Sequence, residues 1–434
     1  MTSIESDPEL PNPVITASKP RFLTLLGPGL ITGAADDDPS GIATYSQAGA
    51  QFGFGITWTM LFSYPLMAAI QEISARIGRT TGQGIAGNLR AHFPSWVLTL
   101  TVGLLFLANT INIGADLGAM GDAVRLLVGG STAIYVVIFA VVSAGLQIFV
   151  QYSRYVSALK WLTLSLFAYF GTVLFAKVPL EEFARGFFIP TLSPDKAFWA
   201  TVVAVLGTTI SPYLFFWQAS QEVEDERASP KRKPLVNAPE QAPAAIGRIR
   251  LDTYVGMGFS SLVALAIMVT TAATLYANGT TDIQTSSQAA EALRPVAGRF
   301  AFTIFALGII GTGLLAIPVL AGSAAYALGE ARQWPICLDR KPRKAKAFYA
   351  TIAIATLVGT AIDFSPIDPI KALFWSAVIN GVVATPVMAM MMLMTARADI
   401  MKENVVVGPL RWIGWLSTAI MAAAVIAMIA TSVM

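Results

Sequence analysis

The segment GAADDDPSGIATY, residues 33–45, puts three consecutive aspartates, a proline and a glycine inside an otherwise apolar stretch. An aspartate at a bilayer centre costs about 2.5–3.5 kcal/mol on the insertion scale, and a leucine returns only about 0.3–0.6. Asp36, Asp37 and Asp38 therefore cannot face lipid. They line a water-filled cavity, bind a cation or lie near an interface. Pro39 lacks an N–H, and Ser40 and Gly41 tolerate non-helical angles, so a helix break is expected here. Irregular backbone survives at membrane depth only where it lines a cavity or is buried in protein.

A second interruption lies in AVLGTTISPYLFFWQ, residues 204–218, where Gly207 and Pro212 bracket Thr208, Thr209 and Ser211. Taken alone, Pro212 reads first as a simple kink whose freed carbonyls are met by Ser and Thr; beside the aspartate-rich break it reads as a second break. Unwound carbonyls beside carboxylates instead make an oxygen-rich, negative pocket, the ligand set that hard divalent cations take. A substrate carboxylate would be repelled by three aspartates, so the expected ligand is a cation. In LANTINIGADLGAMGD, Asn109, Asn112 and Asp116 fall on one helical face. They line a hydrated path or, for the asparagines, bond neighbouring helices. Asn380 and Gly381 form a further polar pair near mid-membrane.

The elements that must position these groups are membrane helices. The chain has 434 residues, 55% of them hydrophobic and only 13% charged, against about 25% charged in soluble domains. A net charge of +3 gives no sign of nucleic-acid binding. The lone Cys337 excludes a disulfide framework or a cysteine metal cluster. Residues 1–21 are polar and Pro-rich and read as a solvated cytosolic tail, not a secretory signal.

About 11 segments approach the roughly 20 apolar residues a bilayer core needs: 22–52, 56–77, 97–120, 132–150, 156–177, 198–220, 253–277, 298–328, 348–363, 371–395 and 411–433. With the N-terminus inside and the C-terminus outside, roughly 22 of the 29 Lys and Arg residues face the cytosol. The 226–250 loop is basic and Pro/Ala-rich and reads as a mobile solvated linker. No P-loop appears. The breaks fall in the first and sixth spans, the pattern of a transporter site built on inverted repeats. The chain thus reads as one transmembrane domain, 22–434, with repeats at 22–177 and 198–395 and an additional helix at 411–433.

At the level of motifs, GPGLITGAADDDPSGIATYSQAGAQFG resembles the first helix of the Nramp divalent-metal transporters. ARIGRTTGQGIA resembles the segment after their second helix, and ALGIIGTGLLAIPVLAGSAAYALGE their eighth. The resemblance implies a LeuT-type fold of ten core helices in two inverted repeats, with helices 1 and 6 broken, and alternating access.

Departures from the family pattern bear on the cargo. Where Nramp metal–proton symporters have Asp-Pro-Gly-Asn, this chain has Asp38, Pro39, Ser40 and Gly41, keeping the aspartate and losing the asparagine ligand. The helix-6 pattern Ala-x-x-Met-Pro-His is matched by Thr208 through Tyr213, so the coordinating methionine becomes Ser211 and the proton-linked histidine Tyr213. Asp116 matches a helix-3 aspartate, but the glutamate three residues on is Ala119, and the helix-10 glutamine is Ala377. A thioether favours transition metals over Mg²⁺. Without it the pocket is harder, wider and suited to a partly hydrated Mg²⁺. This resembles the Nramp-related magnesium transporters.

From the resemblance, Asp38, Gly41, Thr208 and Ser211 are the expected metal-site residues. Asp36, Asp37, Asn112, Asp116, Tyr213 and Asn380 line the cavity, and Pro39, Ser40, Gly207 and Pro212 break the helices. Asp38 is the principal ligand and Ser211 more a polar wall. The expected activity is Mg²⁺ and Mn²⁺ uptake with weak or no proton coupling, since His92, the only histidine, lies in a cytosolic loop. The alternative is a proton-coupled Mn²⁺/Fe²⁺ symporter. A metal sensor signalling through the 226–250 loop is a different class, and no motif suggests an enzyme. The expected partners are the divalent cation, as cargo and not as cofactor, and the lipid bilayer. The compact loops suit a bacterial inner membrane, and no protein partner is evident.

Overall fold

The computed structural model describes residues 28–150, 163–176, 178–338, 342–364 and 368–433. The expected tail at 1–21 and the start of the fifth span lie outside the described residues. Regular structure within the described residues is entirely helical.

The first expected span is two helices, α1 (Pro28–Asp36) and α2 (Pro39–Phe52), separated by Asp37 and Asp38. The turn Gly53–Ile56 leads into α3 (Trp58–Thr81), and α4 (Ile85–His92) follows on the same side as the end of α3. Then come α5 (Ser95–Val128), α6 (Thr132–Phe149), α7 (Phe167–Phe175) and the short α8 (Leu180–Phe188). The sixth span is again double, α9 (Lys196–Thr209) and α10 (Pro212–Arg227). It is followed by α11 (Ala242–Thr274), α12 (Ala301–Arg332), α13 (Lys346–Asp363), α14 (Pro369–Thr395) and α15 (Gly408–Val433).

Eight helical segments among the described residues are long and apolar enough to cross a membrane, with α9 and α10 counted together. A ninth is gained if α2 and α3, bent by 110° about their turn, are taken as one. The expected 11 includes three more: the divided first segment, α3 by itself, and the fifth segment, only part of which is described. Dividing the first segment leaves α1 with nine residues, only about 14 Å at 1.5 Å per residue.

Small residues let the helices close on one another, as membrane interfaces require. α1 and α2 lie against α11, and α9 lies against α14. A Cβ on Gly33 would fall 2.3 Å from the Gly256 carbonyl oxygen, so α1 reaches α11 only because that side chain is absent. α5 runs through the centre and packs on α12, α13 and α14.

Two expectations need correction. Gly207 does not break the sixth span, because α9 continues to Thr209 and the interruption is Ile210–Ser211. A Cβ on Gly207 would sit 2.1 Å from the Ala377 carbonyl oxygen and 2.5 Å from the Gly381 nitrogen. The glycine is there for the contact of α9 with α14. Likewise Ser40 and Gly41 are helical residues of α2, and the first break lies just before them.

The 226–250 segment is also not a solvated linker. α10 runs to Arg227 and α11 starts at Ala242, so only residues 228–241 connect them. Within that connection the Leu235 and Val236 amides donate to the carbonyls of Arg79 and Thr80, at 3.3 and 3.1 Å, and the Leu235 side chain is buried. Arg79 reaches Glu226 (3.2 Å) and Gln241 (3.0 Å), Arg232 pairs with Asp225, and Arg248 pairs with Glu222. Two of the segment's basic residues, Arg232 and Arg248, thus meet acids at the end of α10, and Arg250 reaches Glu72 of α3 at 3.5 Å, pairings that composition alone does not give.

Candidate ion site at the two helix breaks

Both breaks have the same local construction. Asp38 is the N-cap of α2 and Pro39 its first residue; Ser211 precedes α10 and Pro212 begins it. A proline at the first helical position loses nothing by lacking an N–H, since that donor would have no intrahelical acceptor. The prolines start the second half-helices rather than kinking continuous ones.

At the first break, Asp38 Oδ1 accepts from the Gly41 amide at 2.7 Å and from Ser40 Oγ at 2.9 Å. Its Oδ2 accepts from Asn112 Nδ2 of α5 at 3.0 Å, and Tyr213 Oη of α10 lies 3.4 Å away. The same tyrosine hydroxyl donates to the Ala35 carbonyl at 3.1 Å, joining the end of α1 to the start of α10. Asn112 Oδ1 is in turn 2.6 Å from Ser376 Oγ on α14.

Asp36 and Asp37 turn to another wall. Ser260 Oγ of α11 donates to Asp36 and lies 3.3 Å from Asp37 Oδ1. Asp36 Oδ1 has no side-chain or backbone partner. Thus the three neighbouring carboxylates do not converge: Asp38 faces α5 and α10, and the other two face α11. Among the described residues no three Asp, Glu, His or Cys side chains come together as a chelate.

The second break meets the first at Gly41, where an added Cβ would lie 3.1 Å from Thr208 Oγ1 and 3.2 Å from the Asp36 carbonyl. Ser211 Oγ is 2.7 and 2.8 Å from the carbonyl oxygens of Gly207 and Thr208, turned back on its own helix end. Asn109 bonds the Leu320 carbonyl and Ser323 of α12, each at 2.8 Å, so this member of the polar stripe joins helices. Asp116 is buried with both carboxylate oxygens unpartnered, as are both amide atoms of Asn380. Asn380 lies one turn from Ser376 and on the same face of α14.

Asp36, Asp37, Asp38, Asn112 and Asp116 are each at most 2% exposed. On one side the seal is polar: Thr32 Oγ1 lies 2.6 Å from Gln218 Oε1, and Gln71 donates to the Leu214 carbonyl at 3.0 Å. These contacts tie α1, α10 and α3 together. What the breaks offer is one carboxylate, Asp38, held among neutral oxygens and the carbonyl ends of α1 and α9. Those C-terminal helix ends carry partial negative charge, which favours a cation.

Sequence reasoning missed Ser260 and Ser376. A lone serine in an apolar helix carries no signal, although the four-residue spacing of Ser376 from Asn380 places it on a face already singled out.

The family profile described as Nramp, "Natural resistance-associated macrophage protein-like", matches residues 29–431. The chain belongs to the Nramp family. Nramp proteins are transporters, so this is a multi-pass membrane transporter and not an enzyme. It is similar to the divalent metal cation transporter MntH of Klebsiella pneumoniae, 26% identical over 411 residues and 93% of each chain. It is also similar to MntH of Aeromonas hydrophila, 28% identical over 70% of this chain and 73% of that one. In fold it resembles the Eremococcus coleocola manganese transporter, with a TM-score of 0.74 at 16% identity, covering 98% of this chain and 91% of the other. It also resembles the structure of MhsT in complex with L-phenylalanine, with a TM-score of 0.58 at 13% identity, covering 93% of this chain and 97% of the other. The expected LeuT-type fold with two broken helices is therefore the fold of this Nramp chain.

Proposed function

We propose that this Nramp protein transports divalent metal, Mg²⁺ first and Mn²⁺ beside it, by alternating access with weak or no proton coupling. The Klebsiella and Aeromonas relatives are named divalent metal cation transporters and the Eremococcus structure a manganese transporter, which supports the class of cargo. The observation that carries the Mg²⁺ reading is Ser211. At the position where the family resemblance expects a soft thioether, its hydroxyl is turned onto the carbonyls of Gly207 and Thr208. A site with one carboxylate and neutral oxygens suits an ion that keeps much of its water, as Mg²⁺ does. Mn²⁺ accepts the same ligands.

In this reading Asp38 is the principal ligand, directly or through water, and Gly41 and Thr208 add carbonyl or water contacts. Ser211 is a polar wall. Asp36 and Asp37 add negative potential from the α11 side, and Asn112, Asp116, Tyr213 and Asn380 line the cavity. The matching Asp38–Pro39 and Ser211–Pro212 junctions support inverted repeats at 22–177 and 198–395, with 411–433 outside them. We assign the N-terminus to the cytosol and the C-terminus to the exterior on the distribution of basic residues, and the chain to a bacterial inner membrane on its compact loops.

Inward movement of a 2+ ion through 100 mV gains about 4.6 kcal/mol, twice the per-charge figure. That sustains roughly a 2,000-fold gradient without protons, at about 1.4 kcal/mol per tenfold.

The test is flux into proteoliposomes read with a Mg²⁺ dye and a pH dye together, wild type beside Asp38→Ala. Mg²⁺ entry without acidification, lost in the variant, is the expected result. Mn²⁺ entry with acidification and no Mg²⁺ signal overturns it. That outcome is the second reading, a proton-coupled Mn²⁺/Fe²⁺ symporter, and the unpartnered carboxylate of Asp116 is the observation that favours it.

A further inference from the structure

The nine-residue helix α8 has three faces. Phe183, Gly186 and Phe187 pack inward, and Glu181, Glu182 and Arg185 form a charged face. Leu180, Ala184 and Phe188 recur at i, i+4 and i+8, which aligns them in one stripe. This stripe is bare: Leu180 is 75% and Phe188 64% exposed. Ile189 and Leu192 prolong it past the helix end and are likewise exposed.

The inward face grips the turn between α2 and α3. A Cβ on Gly186 would lie 2.1 Å from the Phe54 carbonyl oxygen, so the α8 backbone rests directly on that turn. Phe183 meets the Phe54 ring edge-on at 6.2 Å and stacks on Phe187 at 5.5 Å. Thr191, just beyond α8, donates from its hydroxyl to the Gly55 carbonyl at 2.7 Å.

The preceding helix also ends on bare apolar residues. α7, the described end of the fifth span, closes with Leu174 and Phe175, 82% and 75% exposed, and α8 starts five residues later. Five residues span at most about 18 Å, so Leu180 lies within that reach of the end of the spanning helix. An apolar stripe flanked by charges, that close to the end of a span, is the pattern of a helix lying in the membrane interface.

The geometry points to α8 as an interfacial anchor: its Leu180–Ala184–Phe188 stripe docks into the bilayer, and its other face holds the Gly53–Ile56 turn at the outer end of the first broken helix. The occupant is the lipid surface on the side where α2 ends. Through Gly186 and Thr191 the membrane thereby fixes the junction of α2 and α3, while α1 has no such tether among the described contacts.

The test uses nitroxide labels at Phe188→Cys and Glu182→Cys in a Cys337→Ser background, in full-length transporter reconstituted in phosphatidylcholine/phosphatidylglycerol vesicles. Variants are carried forward only if they elute as a single species. The ratio of collisions with oxygen to collisions with a water-soluble nickel chelate is expected to be several-fold higher at 188 than at 182. Equal nickel access at the two sites overturns the lipid assignment. So does a label at 188 that is shielded from both reagents, which would mean a second copy of the chain covers the stripe. The anchoring role is read separately, by hydrogen exchange in Leu180→Ser/Phe188→Ser. Exchange at residues 53–60 is expected to quicken while the centre of α5 is unchanged, and no change at 53–60 removes that role.

Discussion

Asn112 Nδ2 on α5 lies 3.0 Å from Asp38 Oδ2, and this bond ties the centre of a continuous helix to the gap in a broken one. Through Ser376 it also reaches α14, so three helices share one short polar chain.

Replacing Asn112 by leucine removes the donor to Asp38 and leaves Ser376 only the Leu373 carbonyl of its own helix, at 2.7 Å. A hydrogen bond to a charged group contributes about 1.5–3 kcal/mol, so apparent metal affinity should weaken roughly 10- to 100-fold. Initial uptake rates in proteoliposomes against metal concentration measure this. Ser376→Ala should be milder, because it leaves the bond to Asp38. A KM unchanged by Asn112→Leu would mean that the bond does not shape the site.

Ser211→Met tests the hardness of the pocket. A thioether there should raise Cd²⁺ competition against Mn²⁺ and depress Mg²⁺ entry. The variant also loses the hydroxyl that meets the helix-end carbonyls, a modest cost of about 1 kcal/mol. Competition flux with the two ions separates these effects, since lost stability lowers every rate alike. No gain for Cd²⁺ would show that residue 211 does not face the ion.

Gly207→Ala should destabilise the protein without altering any polar side chain. The new methyl meets backbone of α14, which cannot move aside as a flexible side chain does. Overpacking of this kind costs about 1–3 kcal/mol. A thermal melt in detergent, beside Gly103→Ala, where an added Cβ has no neighbour within 4 Å, is the comparison. Equal melting temperatures would mean that α9 and α14 have room to separate.

The Arg79–Glu226 pair is buried on both sides, and Arg79 also holds the 228–241 connection. Removing one partner of a buried pair costs about 3–5 kcal/mol, whereas replacing both with apolar groups is often near neutral. Arg79→Met and Glu226→Met should each lower stability by more than the double variant does. The double-mutant cycle measures the coupling. Strict additivity would mean that the two side chains act independently.

Much of the architecture was readable because membrane burial is unforgiving. Asp36–Asp38 and Pro39 could not sit in a lipid-facing helix, and Pro212 marked the second gap. The register was less so. A proline announces a discontinuity without saying on which side of it the helix resumes, so Ser40 and Gly41 were expected to be unwound and are helical. Gly207 looked like part of the break because a glycine's use in close packing depends on a partner, Gly381, that lies far along the chain. The 226–250 stretch is similar: Arg232 and Arg248 answer acids on α10 and Arg250 one on α3, and composition records charges without saying which ones meet. The placement of Asp36 and Asp37 against Ser260 had no precursor in the local sequence at all.

If Asp38 holds the ion as proposed, its capping of α2 also bears on how ions are told apart. Its Oδ1 fastens the first turn of α2 through Ser40 and Gly41, and its Oδ2 looks toward α5 and α10. An ion that keeps its water and leans on Oδ2 leaves that turn fastened. One that strips its shell and takes both oxygens must unpick the first turn of α2 to do so. Bare and hydrated cations would then leave the transporter in different shapes, and discrimination would rest on which shape can complete the cycle, rather than on the width of a hole.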